Sequence, residues 1–330
     1  MRGAFFDPTP SPMSPEKKTA RFAWGVLAYN LLVIVWGAYV RASGSGAGCG
    51  KHWPLCNGEV VPQAPKLKTL IEFSHRLTSG FSLVLVIALC VAVFRSVKKG
   101  APARRAAVAS VVFILSEALI GAGLVLFELV AHNASMKRAL SMSLHLTNTF
   151  LLLASLTLTA WWSSGAPAIR MKNGGPARIF LLASFGLMFI LGTSGAIAAL
   201  GDTLFPSQSL ADGLRADLSP TASLLLRLRV LHPVIALATA TVVVGTASVS
   251  RAMFRSVARV RRWAGLTVLI VLAQIGAGFL NVLLLAPTWM QLVHLILADL
   301  VWISVVLLAA SVMAEEAPLV ESEASAAHHV

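Results

Sequence analysis

Glu72 and His75 stand at i and i+3 in the stretch "IEFSHRLTSG", a spacing that puts both on one face of a helix. A carboxylate in such a place can take protons, position water or steady developing positive charge. Three more histidines have similar apolar settings: His145 in "SLHL", His232 in "RVLHP" and His294 in "LVHL". Two imidazoles facing each other across a helix bundle can take both axial positions of a heme iron, leaving the apolar interior to hold the macrocycle. The pairs would be His75 with His145 and His232 with His294. A zinc site would instead want three or four converging ligands, often with carboxylate or thiolate. Two widely separated pairs without clustered acids fit heme better.

Just upstream lies "GSGAGCGKHWPLCNGEVVP", Gly44 to Pro62, which holds Cys49 and Cys56. If this loop is outside the cytosol, the two can pair. The third cysteine, Cys90, lies in an apolar run and reads as packing. Arg41, Arg76, Arg227 and Arg229 fall at the ends of apolar runs, where each could meet a heme propionate or snorkel to the interface. Glu117 and Asp299 lie inside such runs and read either as members of a proton route or as hydrogen-bonded carboxyls.

The elements that must position these groups are membrane spans. Hydrophobic residues make up 57% and charged residues 12% of the 330 positions, with mean hydropathy +0.78; a soluble domain carries about twice that charge. At about 20 apolar residues per crossing, the sequence predicts eight spans, at 22–42, 70–94, 105–127, 139–162, 177–200, 223–249, 262–285 and 290–313. The Pro-rich start, 1–21, reads as a cytosolic tail and not as a signal peptide.

Lys and Arg near span ends prefer the cytosolic side. An inside N-terminus gathers there Arg2, Lys17, Lys18 and Arg21, then Arg95, Lys98, Lys99, Arg104 and Arg105, then Arg170, Lys172 and Arg178, then Arg251, Arg255, Arg259, Arg261 and Arg262. Both termini are then cytosolic and the Cys loop, 43–69, faces out. Every even span runs inward, so the four histidines share one depth toward the outer face. The net charge of +13 is spread over four loops and reads as topology and anionic-lipid contact, not nucleic-acid binding.

The halves are alike. "ALIGAGLVL" (Ala118–Leu126) matches "AQIGAGFLN" (Ala273–Asn281), each following an Arg-Arg pair. Four spans return the chain to its starting side, so two such units are related by an axis along the membrane normal. The expected fold is an all-α integral membrane protein, eight transmembrane helices as two pseudo-symmetric four-helix bundles, 22–162 and 177–313. A cytosolic linker, 163–176, joins them and a cytosolic tail, 314–330, follows. Gly121, Gly123, Gly276 and Gly278 would let helices approach closely at matching places, or clear space for a ligand. Where the first half has Glu72 before its histidine, the second has Arg229, which suggests one site for chemistry and one for a permanent heme.

The "WPLCNG" loop, the E-x-x-H-R motif of Glu72, His75 and Arg76, the eight spans and the histidine in each even span together resemble the heme A synthase family, over roughly 22–313. The resemblance implies heme O as substrate between His75 and His145, and heme b as cofactor between His232 and His294. It implies oxidation of the C8 methyl of heme O to a formyl group through a hydroxymethyl intermediate, with Glu72 as the essential carboxylate near that methyl. A place in the cell's inner (plasma) membrane is implied too, with the farnesyltransferase that makes heme O and a membrane electron acceptor as partners; a homo-oligomer is allowed. Some family members carry a cysteine pair in the loop of each half; the loop Gly201–Ala222 has none, so cover by paired loops is not carried over. Cys49 and Cys56 could be a staple or a redox pair, and His52 and Trp53 receive no catalytic role. Two rival readings are a quinone-linked diheme b-type electron-transfer cytochrome and a small-solute transporter. The Glu72–Arg229 asymmetry and the "WPLC" loop speak against the first. Polar groups gathered at the outer third, not mid-membrane, speak against the second.

Overall fold

In the computed structural model, which describes residues 14–170 and 175–315, every apolar run expected to cross a membrane is helical. In chain order the helices are α1 (Pro15–Ala42), α2 (Leu67–Ser96), α3 (Pro102–Leu126), α4 (Met136–Ser163), α5 (Gly175–Leu204), α6 (Leu210–Leu218), α7 (Leu224–Arg229), α8 (Leu231–Met253), α9 (Ala258–Leu283) and α10 (Thr288–Met313). Among the described residues eight stretches are long and apolar enough to span, α7 and α8 together making one of them. Arg2, Lys172 and the outlying parts of both tails, for which expectations were stated, lie outside the described residues.

Three departures from the expected boundaries have local causes. Helix α1 starts at Pro15, not near 22, because the Ser14 side chain accepts from Lys17 N and proline stands in the first turn; both favour a helix start, and the polar turn they create lies outside an apolar window. Within the stretch expected to be loop, α6 forms behind Ser209, whose hydroxyl accepts from Asp212 N. Helix α7 gives way to α8 at Val230 because Pro233 has no N–H to donate toward the preceding turn. The first half has Arg76 after its histidine, and α2 runs on unbroken.

Helix α1 packs on α2 and α4, and α3 on α2 and α4; in the second half α5 packs on α8 and α10, and α9 on α8 and α10. The two groups of four meet along α4, which touches α5 and α10, while α1 also reaches α10. At that seam Phe150 stacks on Trp302 with centroids 4.7 Å apart, and Trp302 Nε1 donates to Phe150 O at 2.7 Å. Phe185 and Phe189 meet Trp302 edge-on. An indole buried with its N–H satisfied combines a large apolar area with a fixed orientation. Arg41, at the end of α1, donates to Ala199 O (2.7 Å) and Thr203 Oγ1 (2.6 Å) on α5 and to Gln291 Oε1 (3.0 Å) on α10.

Candidate functional site

His75, His145, His232 and His294 each fall within roughly the first three turns of α2, α4, the α7–α8 span and α10. All are half-buried. Each ring lies against a glycine of the preceding long helix. A Cβ added at Gly37 would sit 2.9 Å from His75 Cε1, one at Gly195 3.1 Å from His232 Cε1, and one at Gly278 3.0 Å from His294 Cε1. At Gly121 the distance to His145 Cε1 is 3.9 Å. Glycine at these places lets an imidazole ring lie on bare helix backbone.

This corrects the expectation for the four glycines of the matched motifs. A Cβ at Gly276 meets nothing within 4 Å, and one at Gly123 meets only Phe127 of its own turn. Gly121 and Gly278, which do not match in the motif alignment, face the histidines. Gly37 and Gly195 were not singled out; the signal would have been a small residue in the span before each histidine.

The ring centroids of His232 and His294 are 6.5 Å apart and their planes 87° to each other. An iron bonded to one nitrogen of each ring at about 2 Å, with each ring centre about 1 Å further back, sets centroids about 6 Å apart. The spacing therefore fits a metal held between the two. Nδ1 of His75 and of His294 is buried with no hydrogen-bond partner, whereas His232 Nδ1 pairs with Ser194 Oγ at 2.9 Å. Gln274 Nε2 lies 3.3 Å from His294 Nε2. Among the described residues no three His, Cys, Asp or Glu side chains converge as a metal-ion set, so what the histidines offer is pairs.

Glu72, 3% exposed, sits beneath the Cys loop. Its Oε2 accepts from Cys49 N at 2.8 Å and its Oε1 from Arg76 at 2.6 Å. Arg76 Nη1 in turn donates to His52 O and Leu55 O, both at 2.6 Å. Charge-assisted bonds of this kind are the strong ones. Thr69 Oγ1 donates to Gly48 O at 2.8 Å, and Gly48 lies so close to α2 that a Cβ would run into the Lys68 carbonyl and stand 2.7 Å from Thr69 N. Cys49 and Cys56 form a disulfide of 1.99 Å, both residues buried although most of the loop around them is exposed. The loop is thus pressed onto the first turns of the helix that carries His75.

Arg229, the counterpart of Glu72, ties down its own surroundings with the opposite charge. It pairs with Asp202 at 2.8 Å and with Asp217 of α6 at 2.5 Å, so α6 is fastened to the start of the His232 span. Arg227 is exposed and donates to Pro220 O. Arg41, Arg76 and Arg229 therefore all direct donors at protein groups. Glu117 meets His145, Asn148 and Thr149. Asp299 is fully buried and neither of its oxygens has a hydrogen-bond partner.

A family model described as COX15-CtaA, cytochrome oxidase assembly protein, matches residues 20–306. The protoheme IX farnesyltransferase of one Thermus thermophilus strain is 47% identical over 304 residues, which are 92% of this chain and 50% of that protein. The protein of the same name from a second strain of that organism matches equally. Heme A synthase of Bacillus cereus is 46% identical over 97 residues, 29% of this chain and 31% of that protein. The chain spans about half the length of the Thermus relatives.

Proposed function

This chain belongs to the COX15-CtaA family of cytochrome oxidase assembly proteins, and from that premise we propose that it is a heme A synthase, oxidising the C8 methyl of heme O to a formyl group through a hydroxymethyl stage. The observation that carries the reading is the set of four histidines in the opening turns of their spans, each seated on a glycine, with His232 and His294 spaced for an iron between them. The partial likeness to heme A synthase supports it.

In this reading residues 22–162 hold heme O between His75 and His145, and 177–313 hold heme b between His232 and His294, the two units being pseudo-symmetric. Heme b, when bound, supplies one-electron chemistry. The chain itself must bind and orient the substrate and take up protons as the methyl is oxidised. Glu72 is suited to holding a water or steadying positive charge that develops at the methyl, because each of its oxygens accepts one bond, which leaves further lone pairs free. Arg76 holds that carboxylate and the loop together. The buried disulfide reads as the staple of this cover, since thiol exchange needs access. Of the four arginines, Arg41 and Arg227 could meet a propionate without giving up an ion pair, and of these Arg227 is the exposed one.

The farnesyltransferase name of the Thermus relatives, of whose length this chain covers half, supports a heme O-producing enzyme as neighbour. A membrane electron acceptor is the other partner, and the cell's inner membrane, with both termini cytosolic and the Cys loop outside, is the location. The test is expression with and without heme O supply, followed by mass analysis of extracted hemes. Hydroxylated heme O and heme A are expected. Two bound but unaltered hemes would overturn the synthase reading in favour of an electron-transfer cytochrome.

A further inference from the structure

Of the four histidines, His145 alone has a carboxylate beside its ring. Glu117 Oε1 on α3 stands 3.3 Å from His145 Nδ1, close but not aligned as a hydrogen bond. The carboxylate is held from the same face of α4 that carries the histidine. Asn148 Nδ2 donates to its Oε2 and Thr149 Oγ1 to its Oε1, both at 2.5 Å, and 145, 148 and 149 are i, i+3 and i+4. Thr149 Oγ1 is also 3.0 Å from His145 O, but its one proton goes to the nearer, charged acceptor. Asn148 is fixed in turn, its Oδ1 accepting from Ser116 Oγ at 2.6 Å and its Nδ2 reaching Phe113 O at 2.9 Å. So much anchoring leaves Glu117 little freedom except to face the imidazole. In the second half the motif counterpart of Glu117 is Leu272, and His294 Nδ1 has no partner.

We propose that Glu117 is a positioning residue for His145: it receives the Nδ1–H, fixes the ring with Nε2 turned toward the metal, and gives this one ligand an anionic partner. A small rotation of the ring aligns the bond. A carboxylate behind a ligating imidazole raises the ligand's basicity and favours the ferric over the ferrous state of the iron it binds. The two heme sites are thereby set to different potentials by one side chain. The inference rests on the reading that His145 ligates heme.

The test uses the full-length protein loaded with heme O, with midpoint potentials from spectroelectrochemistry and ferric low-spin signals from electron paramagnetic resonance. Glu117→Gln keeps the shape and removes the charge. At fixed potential the ferrous-to-ferric ratio of the His145 heme should rise about tenfold or more, with a wider spread of g values and no change in the second heme. Thr149→Val removes the competing donor to Oε1 and should shift the same heme in the opposite direction, a sign that loss of packing would not give. It also serves if the glutamine variant does not fold. If His145→Ala abolishes one bis-histidine signal while neither variant moves that heme's potential, the inference fails alone. If His145→Ala leaves both signals intact, the ligand reading fails and the inference with it.

Discussion

Adding one methyl group beneath a histidine should release heme without unfolding the protein. In Gly278→Ala the new Cβ would stand 3.0 Å from His294 Cε1, and in Gly37→Ala 2.9 Å from His75 Cε1, where carbon atoms prefer about 3.5–4.0 Å. The ring must retreat by about half an ångström or more, and being the free end of a side chain it can do so without moving the helix. Overpacking of this kind costs about 1–3 kcal/mol, here falling on the ligating position of the ring, which corresponds to about a 5- to 150-fold loss of heme affinity. The fold should hold or gain slightly, since alanine is favoured over glycine inside a helix by about 1 kcal/mol. The sharp comparison is Gly276→Ala, two residues away, where the added Cβ meets nothing; Gly121→Ala, at 3.9 Å, should fall between. The assay is heme titration by Soret absorbance, beside thermal unfolding of the heme-free protein in detergent. Equal heme affinity in Gly276→Ala and Gly278→Ala would refute the reasoning that these glycines are seats for ligand rings.

Glu72→Gln should leave heme bound while formyl product disappears from extracted pigment; normal heme A output would remove the carboxylate from the chemistry. Arg229→Leu strands Asp202 and Asp217 beside each other, a loss of about 3–5 kcal/mol for a largely buried ion-paired group, and limited trypsin digestion should then cut at Arg215 in α6, which it otherwise spares. Replacing both Cys49 and Cys56 by serine should lower stability by about 2–3 kcal/mol, the loop-closure term for so short a loop, with heme retained; if turnover vanishes while stability is unchanged, the pair acts in electron transfer and not as a staple.

The spans were legible because a bilayer imposes one strong requirement, a long apolar helix, and the matching level of the four histidines was legible because each stands near the start of an even-numbered span. The Cys49–Cys56 disulfide was legible only as a pairing open to the two cysteines if their loop lies outside the cytosol. What the sequence hid depends on rotation about helix axes. Gly121 and Gly276 match as letters, yet only the first faces a histidine, and Gly278 takes the place of the second. Glu117 stood out as an acid in an apolar run, but its partners on α4 become visible only when α3 and α4 are set side by side. Arg76 and Arg229 looked like ligand contacts from their positions; Arg76 instead meets Glu72 one turn away and two carbonyls of the Cys loop, and Arg229 meets Asp202 at the end of α5 and Asp217 of α6, a helix that lies where loop was expected.

The stack of Phe150 on Trp302 joins the helix of His145 to the helix of His294, five and eight residues beyond the respective rings. With the indole N–H bonded across the same seam and two further phenylalanines wedged against it, this wall cannot part without breaking several contacts together. Under the proposed function, a molecule as wide as a macrocycle must still get in and out. Away from that seam, on α2 and α3, Leu77, Phe81, Leu115 and Leu119 expose apolar side chains. With α4 and α10 clasped at this point, the spacing of the His145 and His294 rings is set by the seam and not by whatever fills either half.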